Sequence, residues 1–313
     1  MPIVYYHVWD NKPYPLYNKK YYESNDVIVT ISKVTDDIVE HVSPSVEKFY
    51  LPHAINTNAF AKVDESVINQ FKKSHLSQQF LSQNKDKFTF LYNNRNARRK
   101  MTGSIMFWFK EFLDIVGHDK ASLLMHTDPY DPYGQDMYMI MEKAGLTNGQ
   151  VLISKEKYDI DVLAILYNLA DCTINISDAE GFGLATLESL ACETPIIVNM
   201  TGGLQQQVTD GENWFGIGIE PASRAIIGSQ EVPYIYEDRV SKEDFINALL
   251  KMYNMSKEER EELGRKGREY VLKDYNFNNF GNKWDEILSY VYETYGSWDT
   301  RKKYNSWSLL EIS

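Results

Sequence analysis

Short apolar runs alternate along the chain with stretches whose apolar residues recur every three to four positions. The runs Ile3–Tyr6, Val27–Ile31, Lys48–Leu51, Phe88–Tyr92, Ser122–His126, Gln150–Ile153, Cys172–Ile176 and Pro195–Asn199 have the length and content of buried strands. In Thr102–Val116, the residues Ile105, Met106, Phe109, Phe112 and Leu113 fall on one helical face. In Asp159–Leu169, Ile160, Leu163, Leu166 and Tyr167 do the same. Further helices are predicted over Ser241–Met252, Ser256–Lys273 and Phe277–Tyr295. Ser256, followed by Glu258 and Glu259, suits an N-cap with acids in the first turn. Strand–helix–strand repetition predicts an α/β fold of parallel sheets covered by helices on both faces, built from right-handed Rossmann-like units. Pro52 and the turn Asn56-Thr57-Asn58 place a domain boundary near Leu51–Phe60.

Composition acts mainly by exclusion. Asp and Glu total 44 against 33 Lys and Arg, a net charge of -11. That balance argues against a general nucleic-acid binder but leaves room for a local basic pocket. The two cysteines, Cys172 and Cys192, form neither a disulfide framework nor a zinc-type cluster, which points to a reducing compartment. The N-terminus lacks the layout of a secretion signal, and no segment has the length and apolarity of a membrane span. The expectation is a cytoplasmic protein, with peripheral membrane contact left open.

Chemistry concentrates at two strand ends. The run Cys172–Ile176 leads into Ser177-Asp178-Ala179-Glu180-Gly181-Phe182-Gly183 and then a helix near Leu184. Carboxyl ends of parallel strands are where ligands bind in such sheets. The first helical turn carries unpartnered N–H groups and partial positive charge, which together favour an anion. Gly181 and Gly183 admit a ligand close to the backbone. Glu180 and Glu188 bring carboxylates to the same mouth, where they can accept hydrogen bonds from a diol. Ser177–Glu180 also matches a helix capping box, so the residues alone leave both readings open. The second strand end, after Phe88–Tyr92, carries Arg95, Arg98, Arg99 and Lys100, four cations able to neutralise a diphosphate. A solvated basic loop is the plainer reading of that run.

The motif from Glu180 through Glu188, then Ala191–Pro195 and Thr201-Gly202-Gly203, resembles the donor-site signature of glycosyltransferase family 4. Arg95 and Lys100, five apart after a strand, match that family's diphosphate-binding Arg and Lys. Leu51–Asn56 resembles the linker into its C-terminal domain, and Val27–Ser32 the last strand of its N-terminal domain. Glu193 stands where the family usually has Gly.

The resemblance implies a retaining GT-B enzyme of two Rossmann-like domains. Residues 1–52 would be a partial N-terminal, acceptor-side domain and 53–275 the nucleotide-sugar domain. Residues 276–313 would be a helix and tail packing back towards the N-terminal part. Glu188 would hold the ribose and Glu180 the donor sugar. Backbone at Gly181, Phe182, Gly183 and Leu184 would hold the diphosphate with Arg95 and Lys100. The base would lie near Ser154, and His7 would stand near the donor sugar. The donor would be a UDP- or GDP-sugar, with no metal required. The acceptor would be a glycan, lipid or protein hydroxyl. Only one strand precedes Val27, so the numbering begins inside a longer protein or the domain is reduced; a partner chain completing the acceptor domain stays open. So do a non-catalytic nucleotide-sugar-binding subunit and a glycoside hydrolase using Glu180 and Glu188 as a carboxylate pair.

Overall fold

The computed structural model describes residues 1–73, 87–297 and 300. Residues 298, 299 and 301–313 of the expected tail lie outside the described residues.

The strands are β1 (Val4–His7), β2 (Val27–Thr30), β3 (Glu47–Tyr50), β4 (Phe88–Asn93), β5 (Ala121–His126), β6 (Val151–Ser154), β7 (Cys172–Asn175), β8 (Ile196–Asn199), β9 (Gly216–Ile219), β10 (Ser223–Ile227) and β11 (Ile235–Arg239). The α-helices are α1 (Lys19–Glu23), α2 (Lys33–Val42), α3 (Glu65–Lys73), α4 (Thr102–Val116), α5 (Met137–Ala144), α6 (Ile160–Leu169), α7 (Leu184–Ala191), α8 (Gln205–Val208), α9 (Lys242–Asn254), α10 (Lys257–Asp274) and α11 (Phe277–Tyr295).

The first sheet is parallel, in the order β1-β2-β3. The second is parallel with six strands, β6-β5-β4-β7-β8-β9. Its order reverses between β4 and β7, which puts a crevice at the carboxyl ends of those two strands. Central strands are buried on both faces, which is why β4, β7 and β8 are apolar almost throughout. One face packs Phe109, Phe112 and Leu113 of α4 with Phe245, Leu249 and Met252 of α9. The other packs Leu166 and Tyr167 of α6 with Leu187 and Leu190 of α7 and Val271 of α10.

The smaller sheet is covered from opposite ends of the chain. Ile38, Val39 and Val42 of α2 pack with Ile28, while Ile287 and Val291 of α11 pack with Val27 and Val29. The chain thus returns after α10 to close the first sheet. Ile55 meets Asn276 where the two crossings pass. Among the described residues no helix is long and apolar enough to cross a membrane.

The antiparallel hairpin β10–β11 is an addition not anticipated from the sequence. It bridges the two parts of the chain. The Tyr236 amide donates to the Lys12 carbonyl (2.5 Å), and Asn11 Nδ2 donates to the Tyr236 carbonyl (3.0 Å). Farther along the same edge of β11, Asp238 N donates to the Asp178 carbonyl (2.9 Å).

Because α11 is held to the first sheet through a few apolar side chains, Ile287→Ala should destabilise that region by about 2–5 kcal/mol. Urea unfolding monitored by Trp fluorescence measures this; a loss below about 1 kcal/mol would contradict the packing.

Candidate functional site

The loops after β4 and β7 meet at the reversal of strand order. The Asp178 amide donates to the Arg99 carbonyl (2.8 Å), and Arg99 Nη1 donates to the Ala179 carbonyl (2.5 Å). Lys100 Nζ pairs directly with Glu180 Oε2, and Arg99 lies 3.9 Å from the same oxygen. The basic run breaks into a short 3₁₀ turn, Arg98–Lys100, and this turns Lys100 inward until it is only 7% exposed.

The β7 loop is supported from below by Thr201-Gly202-Gly203. Gly203 N donates to the Glu180 carbonyl (2.9 Å). Gly202 has φ of 49°, and a Cβ there would sit 1.9 Å from that carbonyl oxygen, so only glycine fits. Helix α7 begins after Gly183, whose φ is 93°, and no side chain caps it. The Ser177–Glu180 capping box is therefore not formed; the helix starts one turn later. The amides of Phe182, Gly183, Leu184 and Ala185 donate to no described residue. They face a cavity of about 560 Å³.

That cavity is lined by Glu180, Gly181, Phe182, Gly183, Leu184 and Arg99 from the six-stranded side. Val8, Asp10, Asn11 and Ile31 line it from the N-terminal side, and Ile235 and Glu237 from the hairpin. The structure thus brings together Lys100, Glu180 and residues 181–184. Lys100 reaches the cavity only through Glu180, and it and the other expected site residues lie outside the lining. Arg95 is exposed and pairs with Asp131. Ser154 is buried at the end of β6, within hydrogen-bond distance of His126 Nδ1 (3.0 Å). His7 is buried, with Nε2 2.8 Å from the Tyr22 hydroxyl. Glu188 accepts from the Tyr167 hydroxyl (2.7 Å). Glu180 and Glu188 thus have different partners.

Sequence reading overlooked Asp10, Glu237 and, as a lining residue, Arg99. Arg99 belonged to the basic run already noted. Asp10 follows a strand end in His7-Val8-Trp9-Asp10, a detectable signal; Glu237 offers none, because its hairpin is irregular in apolar pattern. Glu237 is almost fully buried and is held by Arg98 (2.8 and 2.5 Å) and Arg239 (2.7 Å).

Burial dominates the electrostatics. It lowers the pKa of Lys100, against the pull of Glu180. It lowers His7 to about 4, so the ring is neutral. It raises Asp10 to about 6, a shift opposed by Arg99. Burial also raises Asp178 to about 7 and Glu188 to about 7, the latter opposed by the Tyr167 hydrogen bond. No group of three or more His, Cys, Asp or Glu able to hold a metal ion occurs among the described residues.

A model of the family described as glycosyl transferases group 1 matches residues 113–270, about half the chain. The D-inositol 3-phosphate glycosyltransferase of Thermomonospora curvata is 43% identical over 67 residues, 21% of this chain and 16% of the relative. The alpha-monoglucosyldiacylglycerol synthase of Streptococcus pneumoniae is 25% identical over 279 residues, 86% of this chain and 57% of the relative. In both, the match spans less than two thirds of the relative's length. The sucrose-phosphate synthase structure from Thermosynechococcus elongatus superposes with a TM-score of 0.69 at 20% identity, covering 88% of this chain and 61% of that one.

The raised pKa of Glu188 has a consequence for stability. An unfolded Glu ionises near 4.3, whereas the folded one holds its proton to about 7. Between those values the folded state binds more protons, so the Glu188 contribution to stability falls as pH rises through that window. Without ligand, Glu188→Gln should therefore be more stable than wild type at pH 8, by on the order of 2–3 kcal/mol. The gap should close below pH 4.5. Melting temperatures across pH measure it; a pH-independent difference would contradict the burial of Glu188.

Proposed function

This chain belongs to the glycosyl transferases group 1 family, and on that premise we propose that it transfers a sugar from a nucleoside diphosphate sugar to an acceptor hydroxyl with retention at the anomeric carbon. Its fold is GT-B, two Rossmann-like parts facing across a cleft. The observation that carries the reading is buried Lys100 paired with Glu180, on the loop that runs into the free amides of 182–185, at the sheet's reversal point. This is a preformed anion seat whose only close anionic side-chain partner for Lys100 among the described residues is Glu180.

In this reading the diphosphate sits on the amides of Phe182, Gly183 and Leu184, with Lys100 and Arg99 neutralising it. Glu180, displaced from Lys100, turns to hydroxyls of the donor sugar. Arg95 joins only by releasing Asp131. Glu188 accepts from the ribose hydroxyls, and the base, uracil or guanine, lies towards Ser154. His7 is neutral, engaged with Tyr22 and outside the cavity lining, so it transfers no proton in this step.

The acceptor hydroxyl enters from the side of Val8, Asp10 and Asn11 and attacks on the face the diphosphate leaves. As the new C–O bond forms, the anomeric carbon–phosphate oxygen bond breaks. The acceptor proton passes to the departing phosphate oxygen, so no separate base is required. Negative charge grows on the diphosphate through this step, and fixed donors stabilise it most. The acceptor is a hydroxyl of a glycan, lipid or protein.

Lys100→Met should lower kcat by roughly 10²–10³-fold in a donor-consumption assay. Circular dichroism checks that the variant is folded; near-normal kcat would remove the diphosphate assignment. Proton NMR of the first product formed should show the donor's anomeric configuration retained. An inverted product would refute the same-face mechanism.

A further inference from the structure

We infer that Tyr167 is the positioning residue of the ribose-binding carboxylate: it takes a hydrogen bond from Asn93, gives one to Glu188, and so determines which Glu188 oxygen is left for the nucleotide. This rests on the reading of Glu188 given above.

Three elements supply the relay. Asn93 is the last residue of β4, Tyr167 lies in α6 and Glu188 in α7. Asn93 Nδ2 stands 2.7 Å from the Tyr167 hydroxyl, which stands 2.7 Å from Glu188 Oε2. An amide nitrogen only donates, and a phenol has one proton. The Tyr167 oxygen must therefore accept from Asn93 and spend its proton on Glu188. Glu188 Oε1 makes no hydrogen bond to any described residue, so it remains to receive a ribose hydroxyl.

The relay is rigid. Tyr167 is fully buried, and its ring meets Phe60 edge-on at 6.0 Å between centroids. Its carbonyl accepts from Thr194 Oγ1 (2.8 Å), which anchors the backbone independently of the phenol. Filling the core requires an aromatic ring here, but it does not require a hydroxyl shared between two polar partners. The bond also favours the ionised carboxylate, opposing the burial that pushes Glu188 up to about 7. The titratable groups coupled to Glu188 are Tyr167 and Cys192. Burial raises Tyr167 well above its ordinary value and Cys192 to about 12, so Glu188 alone of the three titrates near neutrality.

Ribose hydroxyls donate to the ionised carboxylate, so nucleotide affinity should fall as pH drops through the Glu188 pKa. Losing the Tyr167 hydroxyl should move that midpoint upward and weaken the grip on the diol.

Calorimetry on the whole chain tests this with UDP-glucose, GDP-mannose and ADP-glucose. Whichever binds is compared with its 2′-deoxyribose counterpart from pH 5.5 to 8.5; their diphosphate diesters do not titrate there. Wild type should prefer the ribose form. Tyr167→Phe should lose roughly tenfold or more of its affinity for the ribose form and far less for the deoxy form. Its pH midpoint should rise. In a Glu188→Ala background, which leaves nothing for the phenol to position, Tyr167→Phe should change neither quantity. Should Tyr167→Phe fail to fold, Asn93→Asp carries the test. Its carboxylate draws the Tyr167 proton away from Glu188 and should erode the ribose preference in the same way. A folded variant with wild-type preference and midpoint overturns the positioning role while leaving the donor reading intact. Wild type that binds none of the three sugars overturns both.

Discussion

Lys100 and Glu180 bind the two halves of the site to each other. One ends the loop after β4 and the other lies on the loop after β7, and both are largely buried. Removing one partner of such a pair leaves a desolvated charge, typically at a cost of about 3–5 kcal/mol. The two loops are therefore held together by the ion pair that the proposed donor must divide. In the proposed reading the diphosphate replaces Glu180 as the partner of Lys100, and Glu180 is freed for sugar hydroxyls. In the proposed reading, a desolvated cation held in place by Glu180 is already oriented for the charge that develops during transfer.

The rest of the fold keeps those loops in register across the cleft. Glycine at 202 lets the chain pass under the Glu180 carbonyl, and the hairpin β10–β11 ties the Asp178 backbone to Lys12 and Asn11. Helix α11 returns to cover the smaller sheet. The N-terminal strands and the donor loops thus line one cavity although they are far apart in the sequence.

The buried parallel strands were legible because both faces are apolar: Phe88–Tyr92, Ser122–His126 and Pro195–Asn199 read as strands from their apolar runs, and β4, β5 and β8 lie there. So did α4 and α6, whose apolar positions share one face. Strand β9, Gly-Ile-Gly-Ile, was not legible, because glycine weakens any strand pattern. The hairpin was missed because its first strand is mostly exposed, so burial imposes no period on it. At the site, the glycine loop and the basic run were visible as chemistry. Which cation turns inward was not, since that depends on the 3₁₀ turn that buries Lys100 and leaves Arg95 with Asp131. His7 sits at a strand end as expected, yet Tyr22, fifteen residues on, sets where its ring points. Side-chain direction at loops is a tertiary property, and local sequence does not carry it.

The central claim is that the reversal point between β4 and β7 is a seat for a nucleoside diphosphate. Thermal unfolding of the wild-type chain with UDP, GDP and ADP, each beside its nucleoside monophosphate, tests it most directly. At a hundred times its dissociation constant the right diphosphate should add about 2.7 kcal/mol of stability, with the monophosphate adding much less. No shift with any diphosphate at millimolar concentration, or equal shifts with mono- and diphosphate, would contradict it.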